Sequence, residues 1–210
     1  MDHALYNVAR AALSVSDNYE ATKIILNRMI EHKSFSFRNR HPKTLEIIIK
    51  SNPKAALDCL IDEDENIIEH AVTFFKRTKL SSLPLEAITE WCGINPAKRC
   101  PILADVIIFY TEEDGLYRPS KEILILLEIC PSPLDVLCEI SASITPSSWS
   151  GSLSDILESR LNIYVELEAH PNQQVQQWAQ SNKVSLQNRI KVERSSEEEQ
   201  AHFSDERFEW

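Results

Sequence analysis

The chain has 210 residues, a formal net charge of −10, three glycines and five cysteines. That length suits one good-sized domain or one continuous helical array, and 43% apolar content is enough for a packed core. So few glycines leave no phosphate-cradling loop, and an acidic field repels phosphate backbones, so nucleotide-loop chemistry and general nucleic-acid binding are both disfavoured.

Charge is uneven. Residues 1–50 carry eight Lys and Arg against five Asp and Glu, whereas residues 101–150 carry two against eight and residues 151–210 six against eleven. Cys59, Cys92, Cys100, Cys130 and Cys138 are odd in number, form no C-x-x-C pair and mostly lie among apolar residues. They read as reduced core thiols of a cytoplasmic protein. The opening MDHALYNVARAAL lacks a small-residue cleavage site, so no signal peptide is expected. The longest apolar runs, residues 106–110 and 123–127, fall far short of the roughly 20 residues that span a bilayer, so no membrane segment is expected.

In chain order, the first helix is expected over residues 2–13 and a second, capped by Ser16 or Asp17, to about Glu31. The basic, aromatic piece HKSFSFRNRHPK follows without helical period; Pro42 then starts a helix to Lys50, and Asn52-Pro53 makes a corner into a short helix over residues 55–61. Residues 65–79 show an apolar face, and Pro84 opens a helix expected to close at Gly93 in the left-handed conformation. The run 102–110 fits a buried strand or a buried helix; its helical neighbours favour helix. Glu112 to Gly115 reads as a turn, Pro119 as the start of a helix, Pro133 as the start of another, and SASITPSSWSGS as a long loop. Trp149 to Ile190 is the most regular stretch, two helices folded back through His170-Pro171-Asn172. Beyond Arg194 the sequence SSEEEQAHFSDERFEW has no helical stripe and is expected to be a flexible acidic tail.

Three corners share one form, a turn residue, a proline and an apolar helix: Asn52-Pro53, Ser132-Pro133 and His170-Pro171. The proline fixes the first helical turn while the residue before it stays extended, so successive helices reverse. Here HPNQQVQQWA resembles the corner and second-helix start of a HEAT repeat, clearly over residues 150–193 and weakly over 42–61 and 119–143. The resemblance implies an all-α, irregular α-solenoid of antiparallel helix pairs (HEAT/ARM-like) over residues 1–194, with the tail over 195–210. The closing order W-x-G-S-L, H-P-N, V-x-x-W-A and a charged tail also resembles the ends of large bacterial helical-repeat proteins, some linked to phage defence, and would make residues 149–190 the end of the array.

The segment with Lys33, Arg38, Arg40, His41 and Lys43 beside Phe35 and Phe37 is the one place suited to phosphate and base stacking. Its bland reading is a solvated loop with its phenylalanines tucked inward. HEAT-like alkylpurine DNA glycosylases are of similar length, but they would be expected to present a broad basic face, against which a net charge of −10 argues. The six histidines are scattered, no H-E-x-x-H or G-x-S-x-G occurs, and Cys92, Cys100 and His70 match no zinc template. No catalytic residue, metal or cofactor is expected. The acidic runs 62–65 and 112–114 sit at helix starts and turns, where water or the helix dipole accommodates them.

Trp178 falls on a stripe with Val175, Ala179, Leu186 and Ile190 and is expected in the core. Trp149, in a polar loop, either plugs the helix stack or meets a partner. Phe203, Phe208 and Trp210, spaced among acids, suit docking on a basic, apolar groove of another protein or of this chain. The expected function is therefore a non-catalytic protein–protein interaction module whose partner is another protein. The alternative is nucleic-acid binding or modification through residues 33–43.

Overall fold

A computed structural model of the chain describes residues 7, 18–31, 42–78, 80, 83–146 and 148–208, the side chains of 42, 77, 78 and 201–208 excepted. The chain is mostly helical, 72% helix, with one two-stranded hairpin. Two units divide it: residues 1–108 with 128–131, and residues 109–127 with 132–210. The first helix expected from sequence, residues 2–13, lies outside the described residues apart from Asn7.

In the first unit the helices are α1 (Tyr19–Glu31), α2 (Pro42–Ser51), α3 (Pro53–Leu57), α4 (Glu69–Thr78), α5 (Leu85–Ile94) and α6 (Pro96–Val106). Leu26, Leu57, Leu60, Phe74, Phe75, Ile88, Leu103 and Ile107 are fully buried among them. The corner before α3 forms as its sequence dictates. Pro53 occupies the first turn and the Asn52 side chain accepts the Ala55 N–H at 3.0 Å. Asn52 Nδ2 also donates to Asn18 Oδ1 at 3.1 Å, tying the start of α1 to this corner.

Asp58, at the end of α3, is the brace of this unit. Its carboxylate accepts the Tyr19 hydroxyl at 2.8 Å and the Trp91 indole N–H at 2.9 Å, so one side chain links α1, α3 and α5. Burial, then the bond to Asp58, pushes the Tyr19 hydroxyl up to about 12.

The helix expected from residue 65 begins instead at Glu69. Asp62 Oδ1 accepts the N–H groups of Asp64 and Asn66 at 2.9 and 2.7 Å, folding residues 62–66 into a turn with Glu65 at φ 62°. Those hydrogen bonds hold the Asp62 carboxyl below the usual range. Glu65 pairs with Arg99, whose guanidinium also donates to Trp91 O at 3.0 Å and lies 4.7 Å from the Trp91 ring centroid. A buried arginine is tolerated because its charge and donors are matched.

Gly93 does not close a helix. It lies inside α5, which continues to Ile94 and ends at Asn95. The run 102–110 is also not one helix: α6 stops at Val106, Leu80 donates its N–H to Val106 O at 2.8 Å, and Ile107 pairs with Leu80 in a parallel bridge.

The second unit opens with the strands β1 (Tyr110–Glu113) and β2 (Leu116–Pro119), paired antiparallel with Tyr110 opposite Pro119. Asp114 and Gly115 both take positive φ, 54° and 76°, the left-handed pair that a two-residue hairpin turn requires and that Asp-Gly favours. Pro119 thus ends a strand rather than starting a helix. The next helices are α7 (Lys121–Ile129), preceded by Ser120 with its Oγ accepting the Ile123 N–H at 3.3 Å, and α8 (Pro133–Ile144). Then come α9 (Leu153–Leu167) and α10 (Gln173–Phe208), the expected antiparallel pair.

Val175, Ala179, Leu186 and Ile190 of α10 are buried, as are Leu157, Ile163, Tyr164 and Leu167 of α9. Trp178 is half-buried, its ring 5.5 Å from that of Tyr164. The hairpin lies on α9: the Arg160 guanidinium sits 5.3 Å from the Tyr117 ring and 5.8 Å from that of Tyr110, while Asn162 donates to Tyr117 O at 3.2 Å. Arg160 also donates to Ile144 O at 2.6 Å, satisfying a carbonyl at the end of α8.

The flexible tail expected from residue 195 is corrected: residues 195–208 continue α10 as helix.

Two substitutions test this packing. Asp58→Ala should lower urea-unfolding stability by about 2 kcal/mol, since two hydrogen bonds to a charged acceptor are lost, with Asp58→Asn costing less. Gly93→Ala should raise stability by roughly 0.4–1 kcal/mol in the same assay, because Gly93 lies in the last turn of α5, not in the left-handed conformation, with nothing within 4 Å of an added Cβ.

Candidate interaction surface

At the N-terminus of α9, α10 makes a polar contact beyond its last buried position, Ile190. A helix begins with N–H groups that have no partner within it. Gly151, at φ 84°, turns the chain into Ser152, whose backbone is extended and whose Oγ accepts the Asp155 N–H at 3.1 Å. The remaining donors are met by Glu197 from α10. Its Oε1 accepts the N–H groups of Leu153 and Ser154 at 2.6 and 3.1 Å, and its Oε2 accepts the hydroxyls of Ser152 and Ser154 at 2.9 and 2.7 Å.

A carboxylate at a helix N-terminus is favoured by charge as well as by hydrogen bonding. The Ser154 hydroxyl, then the Ser154 N–H, lead the interactions that hold the Glu197 carboxyl down at about 2. One turn earlier Arg194 reaches Glu158 at 2.7 Å and Asp155 at 3.5 Å.

Around this junction the surface is acidic. Asp155, Glu158, Glu198 and Glu199 are exposed, and Trp149 is 53% exposed on the loop that leads to Ser152. On α10, Lys191, Val192, Ser195, Ser196 and Glu199 line a shallow open depression, with Val192 69% exposed.

Of the residues singled out by sequence, Trp149 is on the surface of the second unit. Phe203 and Phe208 lie on the backbone of α10, their side chains outside the described residues together with all of Trp210. In the basic segment Lys33, Arg38, Arg40 and His41 also lie outside them, while Lys43 is exposed in the first turn of α2. Glu197 and its serine cradle were not among the candidates. Ser152 is a recognisable helix cap, but its acidic partner lies 45 residues away, beyond the reach of any local pattern.

Cys59, Cys92, Cys100 and Cys130 are buried and Cys138 is exposed, which corrects the reading of a wholly core set. Burial pushes the Cys59 thiol up to about 12, and a hydrogen bond with Cys92, then burial, push that of Cys100 up as well. Both stay protonated and poorly nucleophilic near neutral pH. Among the described residues no group of three His, Cys, Asp or Glu could hold a metal, and no helix is long and apolar enough to cross a membrane.

The fold defines a mostly helical protein whose second unit carries a hairpin-backed helix pair. The chain matches no family model, no curated protein and no solved structure.

Because the folded pKa of Glu197 is depressed, the stability it contributes is present above the unfolded carboxylate range near 4.3 and is lost as pH falls toward about 2. The protection factors of the Leu153 and Ser154 amides, measured by NMR exchange and corrected for the intrinsic rate at each pH between 5 and 2.5, should fall more steeply with acidification in the wild type than in Glu197→Gln, which lacks the titrating group.

Proposed function

We propose that this chain is a non-catalytic interaction module, an irregular HEAT/ARM-like array of helix pairs that binds another protein through its second unit. The observation that carries the reading is Trp149, a large aromatic 53% exposed in a loop fixed at one end by the capped start of α9. An exposed tryptophan is a common anchor of a protein interface. The acids around it, Asp155, Glu158, Glu198 and Glu199, suit a partner with a basic rim around an apolar pocket. The C-terminal end of α10 extends the same charge.

The test is affinity capture from the native source with the full chain, Trp149→Ala, and a chain ending at Glu197, which keeps the α9 contact. Expected is a protein retained by the wild type, weakened at least tenfold by Trp149→Ala and released by salt, since rim charges are screened. Equal capture by wild type and Trp149→Ala would overturn the reading. The competing proposal, nucleic-acid handling through Lys33, Arg38, Arg40, His41 and Lys43, predicts a mobility shift of labelled DNA or RNA at physiological salt that Arg38→Ala with Arg40→Ala abolishes.

A further inference from the structure

We propose that Glu197 is a latch: its seat on the N-terminus of α9 keeps the acidic end of α10 helical, and displacing it lets residues 198–208 unwind while the rest of the helix pair stays folded. Three observations on the second unit lead there.

The first is where apolar packing stops. Along α10 the buried positions end at Ile190, and none of residues 191–200 is buried. The hydrophobic contact that secures the first half of α10 therefore gives no direct hold on its second half. A polar helical extension of this length is marginal in water by itself.

The second is how the remaining hold is built. Glu197 receives four hydrogen bonds from Leu153, Ser152 and Ser154, and Ser154 is buried, so the carboxylate satisfies donors that would otherwise be left without acceptors. The contact is polar and at the surface, and such contacts open at far lower cost than a core.

The third is the charge of the segment being held. Glu193 lies one turn before Glu197, and Glu198 and Glu199 follow it directly. On α9, Asp155 and Glu158 face the same region, with Arg194 as the cation that spans them. Without the cradle, like charge around Glu197 favours separation. Ser195 and Ser196, weak helix formers beside the latch, mark where the helix would give.

The latch is a property of the free chain, so its test needs no partner, and its failure is distinct from failure of the interaction reading. Hydrogen–deuterium exchange is measured peptide by peptide on the full chain, the Glu197→Gln variant and the Ser152→Asp variant. Glu197→Gln keeps the shape and removes the charge. Ser152→Asp keeps a good helix cap but sets a second carboxylate against Glu197, so it separates eviction of Glu197 from loss of the cap.

Expected is a rise of roughly tenfold in exchange over residues 198–208 in both variants, the scale of losing a charge-assisted contact, with exchange over residues 175–190 unchanged. Three outcomes would each overturn the proposal. They are unchanged exchange over 198–208 in either variant, full exposure of that segment already in the wild type, and an equal rise over 175–190, which would mean that Glu197 supports the whole pair rather than its end.

Discussion

A helix begins with N–H groups and ends with carbonyls that it cannot satisfy itself, and in both units distant residues complete some of those ends. Glu197 supplies the start of α9 from more than 40 residues away. Arg160 answers the end of α8 at Ile144. Asn52 caps α3 locally and holds Asn18 with its other end. Apolar burial brings the helices together without direction; these contacts fix the residues at which they stop and meet.

The same constraint explains how so acidic a chain folds. Arg99 is buried but has Glu65 and the Trp91 carbonyl and ring around it, and Asp58 divides its oxygens between a tyrosine and a tryptophan. At the surface of the second unit Asp155 and Glu158 share Arg194, and Glu198 and Glu199 are exposed.

Where sequence and structure part company, a particular turn or side-chain contact, near or distant in the chain, is found at the place. The run 102–110 is apolar enough for a helix, yet Asp114-Gly115 is a strong hairpin signal, and the two strands it joins draw Tyr110 out of the helix. Gly93 suits a helix end, but the turn at Asn95 and Pro96 comes two residues later and sets the boundary. Residues 65–68 have helical spacing, and the Asp62 carboxylate binds the backbone there first. The acidic stretch after Arg194 has no apolar stripe, so pattern alone makes it a tail, yet it is helical, and its Glu197 bonds Ser152 and Ser154.

Local chemistry settles the helical class, the proline-led starts of α3 and α8, and the inner face of the last pair, because proline geometry and 3.6-residue spacing act over a few residues, whereas α10 starts at Gln173, two residues after Pro171. It also marks Trp149 as unusual, a tryptophan in a polar loop, and leaves open whether it is buried against the helices or exposed. Tertiary structure alone decides the brace at Asp58, the seat of the hairpin on Arg160 and the role of Glu197. Each joins groups more than 30 residues apart, and hydrogen bonds across such distances depend on how whole elements pack, which no short window of residues encodes.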